Sequence, residues 1–139
     1  MRKRLWWIGP LALLIIAHLT GVAFGQFYDV NELPVTGLTN SAQAIRATPG
    51  PILWYECYSP NTANTFLQFY DTNAVVVVGT TAATLFAEVG TGSTGFVPLK
   101  APGATTGYIA KTGLQVAATT TVSGGSAPVS PVACSFGYR

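Results

Sequence analysis

An all-β sandwich, jelly-roll-like among its forms, is the fold this chain predicts over residues 42–139. Three observations predict it. Short runs of β-branched and aromatic residues recur, each closed by Gly, Pro, Asn or Asp. Apolar residues make up 49% and charged residues only 9%, so a core can form while the Lys and Glu that favour helices are scarce. Within the runs, large apolar residues fall on alternate positions, as a strand with one buried face requires.

In chain order, residues 26–41 read as a lead-in. Gln26 to Val30 could pair briefly, and Asn31, Pro34, Gly37 and Asn40 interrupt the rest of that segment. Ala42 to Thr48 is the first expected strand of the compact domain, ended by Pro49-Gly50-Pro51. Ile52 to Ser59 is the second, ended by Pro60-Asn61. Thr65 to Tyr70 is the third, closed by Asp71-Thr72-Asn73. Ala74 to Thr80 contains Val75 to Val78 in succession, the pattern of a strand buried on both faces or of a buried helix. β-branching and Gly79 favour the strand. Leu85 to Val89 and Phe96 to Leu99 flank a glycine-rich turn. Ala101-Pro102-Gly103 opens a loop, Tyr108 to Lys111 and Leu114 to Val122 are further strands, Gly124 to Pro131 is a second loop, and Val132 to Tyr138 closes the set. Alternation places Leu53, Tyr55 and Cys57 on one inner face. It does the same for Leu67 and Phe69, and for Val132, Cys134, Phe136 and Tyr138, while Gln68 falls on the opposite side.

The first 25 residues have a different character. Arg2-Lys3-Arg4 precede an apolar stretch from Leu5 to Phe24, which leads into Ala23-Phe24-Gly25. A positive start, an apolar middle and a small-residue exit make a secretory signal, with cleavage after Gly25 or Ala23. The alternative is an uncleaved anchor that crosses a membrane through residues 5–24. Export would put the mature chain at the cell surface, in the periplasm or outside the cell.

Removal of residues 1–25 leaves Arg46, Lys100, Lys111 and Arg139 against Asp29, Glu32, Glu56, Asp71 and Glu88. The formal charge moves from +2 to −1. Without a basic patch, nucleic acid is not an expected partner. His18, the sole histidine, leaves with the signal. A mature chain without histidine builds no Ser-His-Asp or Cys-His arrangement and lacks the usual imidazole ligands of zinc. No enzyme activity, cofactor or metal site is therefore expected.

Three further patterns carry potential chemistry. Glu56 and Asp71 are the carboxylates that could pair for acid–base work, but one falls on the polar side of a strand and the other opens a turn. Gly90 to Gly95 has G-x-G-x-x-G spacing, yet Phe96-Val97-Pro98 comes next where a dinucleotide site needs a helix, so a β-turn is expected. Trp54, Tyr58 and Tyr70 could form a flat aromatic platform for a glycan, or pack against another sheet or subunit. The two cysteines, Cys57 and Cys134, both fall on inner faces. In an oxidising compartment they would form one disulfide, with two separate buried thiols as the alternative.

The order of segments also resembles a known family. Ala44-Ile45-Arg46-Ala47-Thr48-Pro49-Gly50 is followed by Ile52-Leu53-Trp54-Tyr55-Glu56-Cys57-Tyr58-Ser59-Pro60-Asn61 and Phe66-Leu67-Gln68-Phe69-Tyr70-Asp71. Val78-Gly79-Thr80-Thr81, Gly113 to Thr121 and Tyr138-Arg139 continue the pattern. Over residues 42–139 this is similar to small virion-associated β-proteins of tailed bacteriophages, the decoration or appendage type. The resemblance implies a compact sandwich module on a virion or cell surface, structural or adhesive, and a homo-oligomer or larger assembly. A secreted carbohydrate-binding module is the alternative expectation.

Overall fold

The computed structural model describes residues 30–94, 97–100 and 107–139. The segment read as an export signal, the start of the Gln26–Val30 run, Gly95, Phe96 and the Ala101-Pro102-Gly103 loop lie outside these residues. The described chain forms ten strands: β1 (Asn31–Leu38), β2 (Gln43–Arg46), β3 (Gly50–Ser59), β4 (Thr65–Tyr70), β5 (Leu85–Val89), β6 (Gly92–Ser93), β7 (Val97–Pro98), β8 (Tyr108–Ala110), β9 (Leu114–Thr119) and β10 (Val132–Tyr138).

They make two antiparallel sheets. The larger has the order β1-β10-β3, and β6, β7 and β8 pair in turn along the free side of β3 as one interrupted strand. The smaller has the order β2-β9-β4-β5. First pairs with last, second with next to last, and so inward, which is jelly-roll connectivity. Each sheet sends one face into a shared core. Leu38, Ile52, Phe136 and Val132 come from the larger sheet, and Leu67, Phe69, Leu114 and Val116 from the smaller; all are fully buried. Phe69 joins the layers. Its ring centroid lies 6.2 Å from that of Tyr55 and 6.2 Å, edge to face, from that of Phe136. Such ring pairs contribute about 0.5–1.5 kcal/mol each beyond burial.

Three elements differ from their sequence reading. The segment read as lead-in contains β1, which pairs with β10 from Asn31↔Tyr138 to Leu38↔Val132. Pro34 is tolerated because β1 is an edge strand whose outer side needs no N–H donor. The valine run is not a buried strand: Val75 is 91% exposed and Val77 57%. The places beside β4 are already taken by β5 and β9. The run instead ends in a turn, with Thr80 and Thr81 N–H groups donating to the Val77 carbonyl and Gly79 at φ +85°. Finally, Ile52 and not Leu53 enters the core. Tyr138 faces Ile52 while Gly137 faces Trp54, so Leu53 is an extra residue that inverts the alternation.

Cys57 and Cys134 sit directly opposite on β3 and β10 and are disulfide-bonded, with Cα atoms 4.1 Å apart. The Cys57 N–H donates to Thr94 Oγ1 at 2.9 Å, and its carbonyl accepts from Thr94 N at 2.8 Å. Both backbone groups thus point away from β10, as in a non-hydrogen-bonded cross-strand pair, where side chains approach closest. The bond joins neighbours within one sheet and encloses β4, β5 and β9 in a loop with a sequence separation of 77.

Candidate functional site

The two sheets use their outer faces differently. In β4 the outward residues Gln68 and Tyr70 are each 1% exposed, and in β9 Ala117 and Thr119 are fully buried. What covers them is the protein's own chain. The β4–β5 connection, residues 71–84, and the β9–β10 connection, residues 120–131, start at opposite ends of the sandwich and meet over the smaller sheet. At their crossing Gly79 and Gly125 touch. A Cβ on Gly79 would lie 2.8 Å from Gly125 N, and one on Gly125 would lie 2.7 Å from the Val78 carbonyl oxygen.

Gln68 is the centre of this cover. Its Nε2 donates to Thr119 Oγ1 (3.0 Å), Gly124 O (2.8 Å) and Thr121 O (3.3 Å), and its Oε1 accepts from the Tyr70 hydroxyl. Gln115 Nε2 holds the other connection through Thr72 O and Ala74 O. Burial pushes the Tyr70 phenol above its ordinary pKa. Tyr70 therefore does not join the aromatic platform. It lies on the other sheet, beneath a loop the sequence does not reveal as a cover.

Asp71 is a structural carboxylate. It accepts from the Lys111 N–H (2.8 Å to Oδ2), the Thr112 N–H (2.9 Å to Oδ1) and the Tyr108 hydroxyl (3.1 Å to Oδ2). Burial opposes its ionisation. The donors from Lys111, Thr112, Tyr108 and Gly113 outweigh it and hold the carboxyl below its ordinary 3.8. Tyr108 is pushed up to about 12 by burial, by the charge of Asp71 and by their hydrogen bond. Asn73 Nδ2 clamps the same end of the sandwich to Ala47 O and Thr112 O. Glu56 stands on the outward face of β3 in the other sheet. The structure does not bring Glu56 and Asp71 together, and Asp71 is committed to holding a turn.

The outer face of the larger sheet has no such cover among the described residues. Trp54, Glu56 and Tyr58 are successive outward residues of β3, and Tyr58 is 55% exposed. Beside them β10 presents only small residues: Gly137 faces Trp54, Ser135 faces Glu56 and Ala133 faces Tyr58. Gly137 is required there, because a Cβ would lie 2.1 Å from the Trp54 indole nitrogen. The indole thus packs across β10. On the far side β1 supplies Glu32 opposite Gly137 and Pro34 opposite Ser135. The result is a trough floored by β10 and walled by β3 and β1. A shallow depression within it, about 270 Å³, is lined by Pro34, Thr36, Glu56, Tyr58, Ser93 and Ser135.

A second depression, about 160 Å³, lies between residues 60–65 and 128–130. Its central polar side chain, Asn61, is spent on Ser130, donating to its carbonyl at 2.9 Å and accepting from its N–H at 2.8 Å. The glycine-rich segment is no phosphate cradle in its described part: Gly92, at φ +82°, starts β6 directly after β5, with no helix between. No group of three or more His, Cys, Asp or Glu side chains among the described residues could hold a metal ion.

Sequence reasoning found Trp54 and Tyr58 by their aromaticity and phase on β3. It missed the floor of the trough, although alternation of Ala133, Ser135 and Gly137 on the outward phase of β10 was a readable signal. Glu32 and Pro34 were hidden by reading β1 as a lead-in. Comparison with family models, with curated proteins and with solved structures finds no match to this chain.

Proposed function

We propose that this chain is a non-enzymatic surface module, structural or adhesive, exported to a cell surface or carried on a virion. The observation that supports it is the unequal treatment of the two sheets. The centre of the smaller sheet, β4 and β9, is sealed by the protein's own loops, and the larger sheet leaves Tyr58 open beside Trp54 among the described residues. A sealed side suits a rigid scaffold, and an open side suits contact with another molecule. Jelly-roll sandwiches serve both as viral shell domains and as lectins, and both are surface roles. The Cys57–Cys134 bond fits a protein that matures in an oxidising compartment. Low charge gives weak repulsion between copies, which favours a homo-oligomer.

The test is expression of the full chain, followed by fractionation, N-terminal sequencing and light scattering. The expected product lies outside the cytoplasm, begins at or near Gln26 and has a multiple of the monomer mass. A soluble cytoplasmic monomer that retains Met1 would overturn the proposal. A secreted carbohydrate-binding module is the second reading, favoured by the line of Trp54, Glu56 and Tyr58 on one exposed strand face.

A further inference from the structure

The trough has a composition that selects among partners. Trp54 and Tyr58 lie four residues apart on one face of β3, about 13 Å at a strand rise of about 3.3 Å per residue, the span of a short run of hexose units. Between them stands Glu56. β1 and β3 flank β10 at about 4.8 Å each, so the walls stand about 10 Å apart, wide enough for one extended chain. Ala133 and Ser135 put no bulky side chain in its path, and over Gly137 the Trp54 indole itself forms the floor. Strands β1, β3 and β10 contain no Lys or Arg, while Glu32 and Glu56 both face outward from the walls.

Each feature narrows the ligand. Aromatic rings offer flat apolar surfaces that fit the C–H faces of pyranose rings. A carboxylate beside them accepts hydrogen bonds from vicinal hydroxyls, and charge-assisted bonds of this kind are the stronger ones. Lys100 and Arg139 follow the strands only beyond the Trp54 end, so Glu56 at the centre of the trough and Glu32 on its far wall disfavour phosphate, sulfate and uronate groups between the two rings. A purely apolar partner would leave Glu56 desolvated and unpaired, which is costly.

We propose that this trough binds a linear, uncharged polysaccharide, with Trp54 and Tyr58 as stacking surfaces and Glu56 as the acceptor for sugar hydroxyls. This rests on the surface-module reading and names what the open face adheres to. Gly137 acts as a positioning residue, because only a side chain without Cβ lets the indole lie across β10.

The test is isothermal titration of the protein from full-chain expression with neutral hexasaccharides of glucose, mannose, galactose and xylose, and with an oligogalacturonate. At least one neutral probe should bind, and the oligogalacturonate should not. Tyr58→Ala should weaken binding by at least about tenfold, the loss typical of a central aromatic contact, with an unchanged melting temperature. Glu56→Gln should weaken it on the order of tenfold through loss of the charged acceptor. Phe86→Ala, an exposed aromatic on the smaller sheet, should leave it unchanged. Tyr58 is exposed, so its variant folds even if Trp54→Ala does not. Binding by no neutral probe, equal binding of oligogalacturonate, or full binding by Tyr58→Ala would each overturn the inference. An exported oligomer that binds no saccharide would sink this inference alone and leave the surface-module reading standing. A cytoplasmic monomer would remove both.

Discussion

Tyr70 and Tyr58 occupy the same kind of position, the outward phase of a central strand, and the protein treats them in opposite ways. Tyr70 lies under two crossing connections and hydrogen-bonds to Gln68. Tyr58 stands 55% exposed beside Ala133 and Ser93. The difference teaches that strand phase tells which side of its sheet a residue faces, not whether that side meets solvent. A third layer made of loops buries β4 and β9 on both faces. The larger sheet retains the one buried face expected of a sandwich.

The contrast can be broken at several points. Removal of the disulfide and loss of the Tyr70 ring should have the largest effects. The chain-entropy argument assigns a loop of this size about 4 kcal/mol, and Cys57→Ala with Cys134→Ala should lower stability by that order in urea unfolding. Tyr70→Ala is comparable, at about 3–5 kcal/mol, the usual loss for a buried aromatic, whereas Tyr58→Ala should stay within about 0.5 kcal/mol. Equal costs for the two tyrosines in the same unfolding series would show that the loop cover does not act as a packed layer.

Gln68→Ala sharpens the point with a polar residue. It would leave the Tyr70 hydroxyl and the Gly124 carbonyl without their partner, while the Thr121 carbonyl keeps Thr119 Oγ1, at about 1–3 kcal/mol. Faster amide exchange in residues 120–126 is the accompanying expectation, since Gln68 holds that connection down.

The smallest effect is at the Asp71 end and depends on pH. The folded carboxyl titrates below its ordinary 3.8, so its contribution is complete above that value and is lost as the pH falls through the lowered one. Wild type and Asp71→Asn should therefore differ most in melting temperature near neutrality and converge in strong acid. Tyr108 works in the other direction. Its raised pKa, about 12, makes its contribution complete below 10 and lost as the pH rises toward 12. A gap between wild type and Asp71→Asn that widened in acid would contradict the hydrogen-bond geometry around this carboxylate.

Much of the architecture was readable from local chemistry. The positions of β4, β5 and β10, the inner phase of Leu67, Phe69 and Phe136, and the outward phase of Gln68 all follow from period-two alternation bounded by turn residues. Cys57 and Cys134 were readable as a pair because both fall on the inward phase and no other cysteine competes. These features depend on a few neighbouring residues, and local sterics suffice to specify them. The tertiary structure alone decided which strands are neighbours, and four consequences came from that choice. β1 could accept Pro34 only because it became an edge. Leu53 left the core only because β3 and β10 pair with an extra residue. Val75 to Val78 went to the surface because β5 and β9 already flank β4, while Tyr70 went inside because the residues 71–84 and 120–131 cross above it at Gly79 and Gly125. Burial on a sheet's outer face depends on contacts distant in sequence, and alternation along one strand carries no record of them.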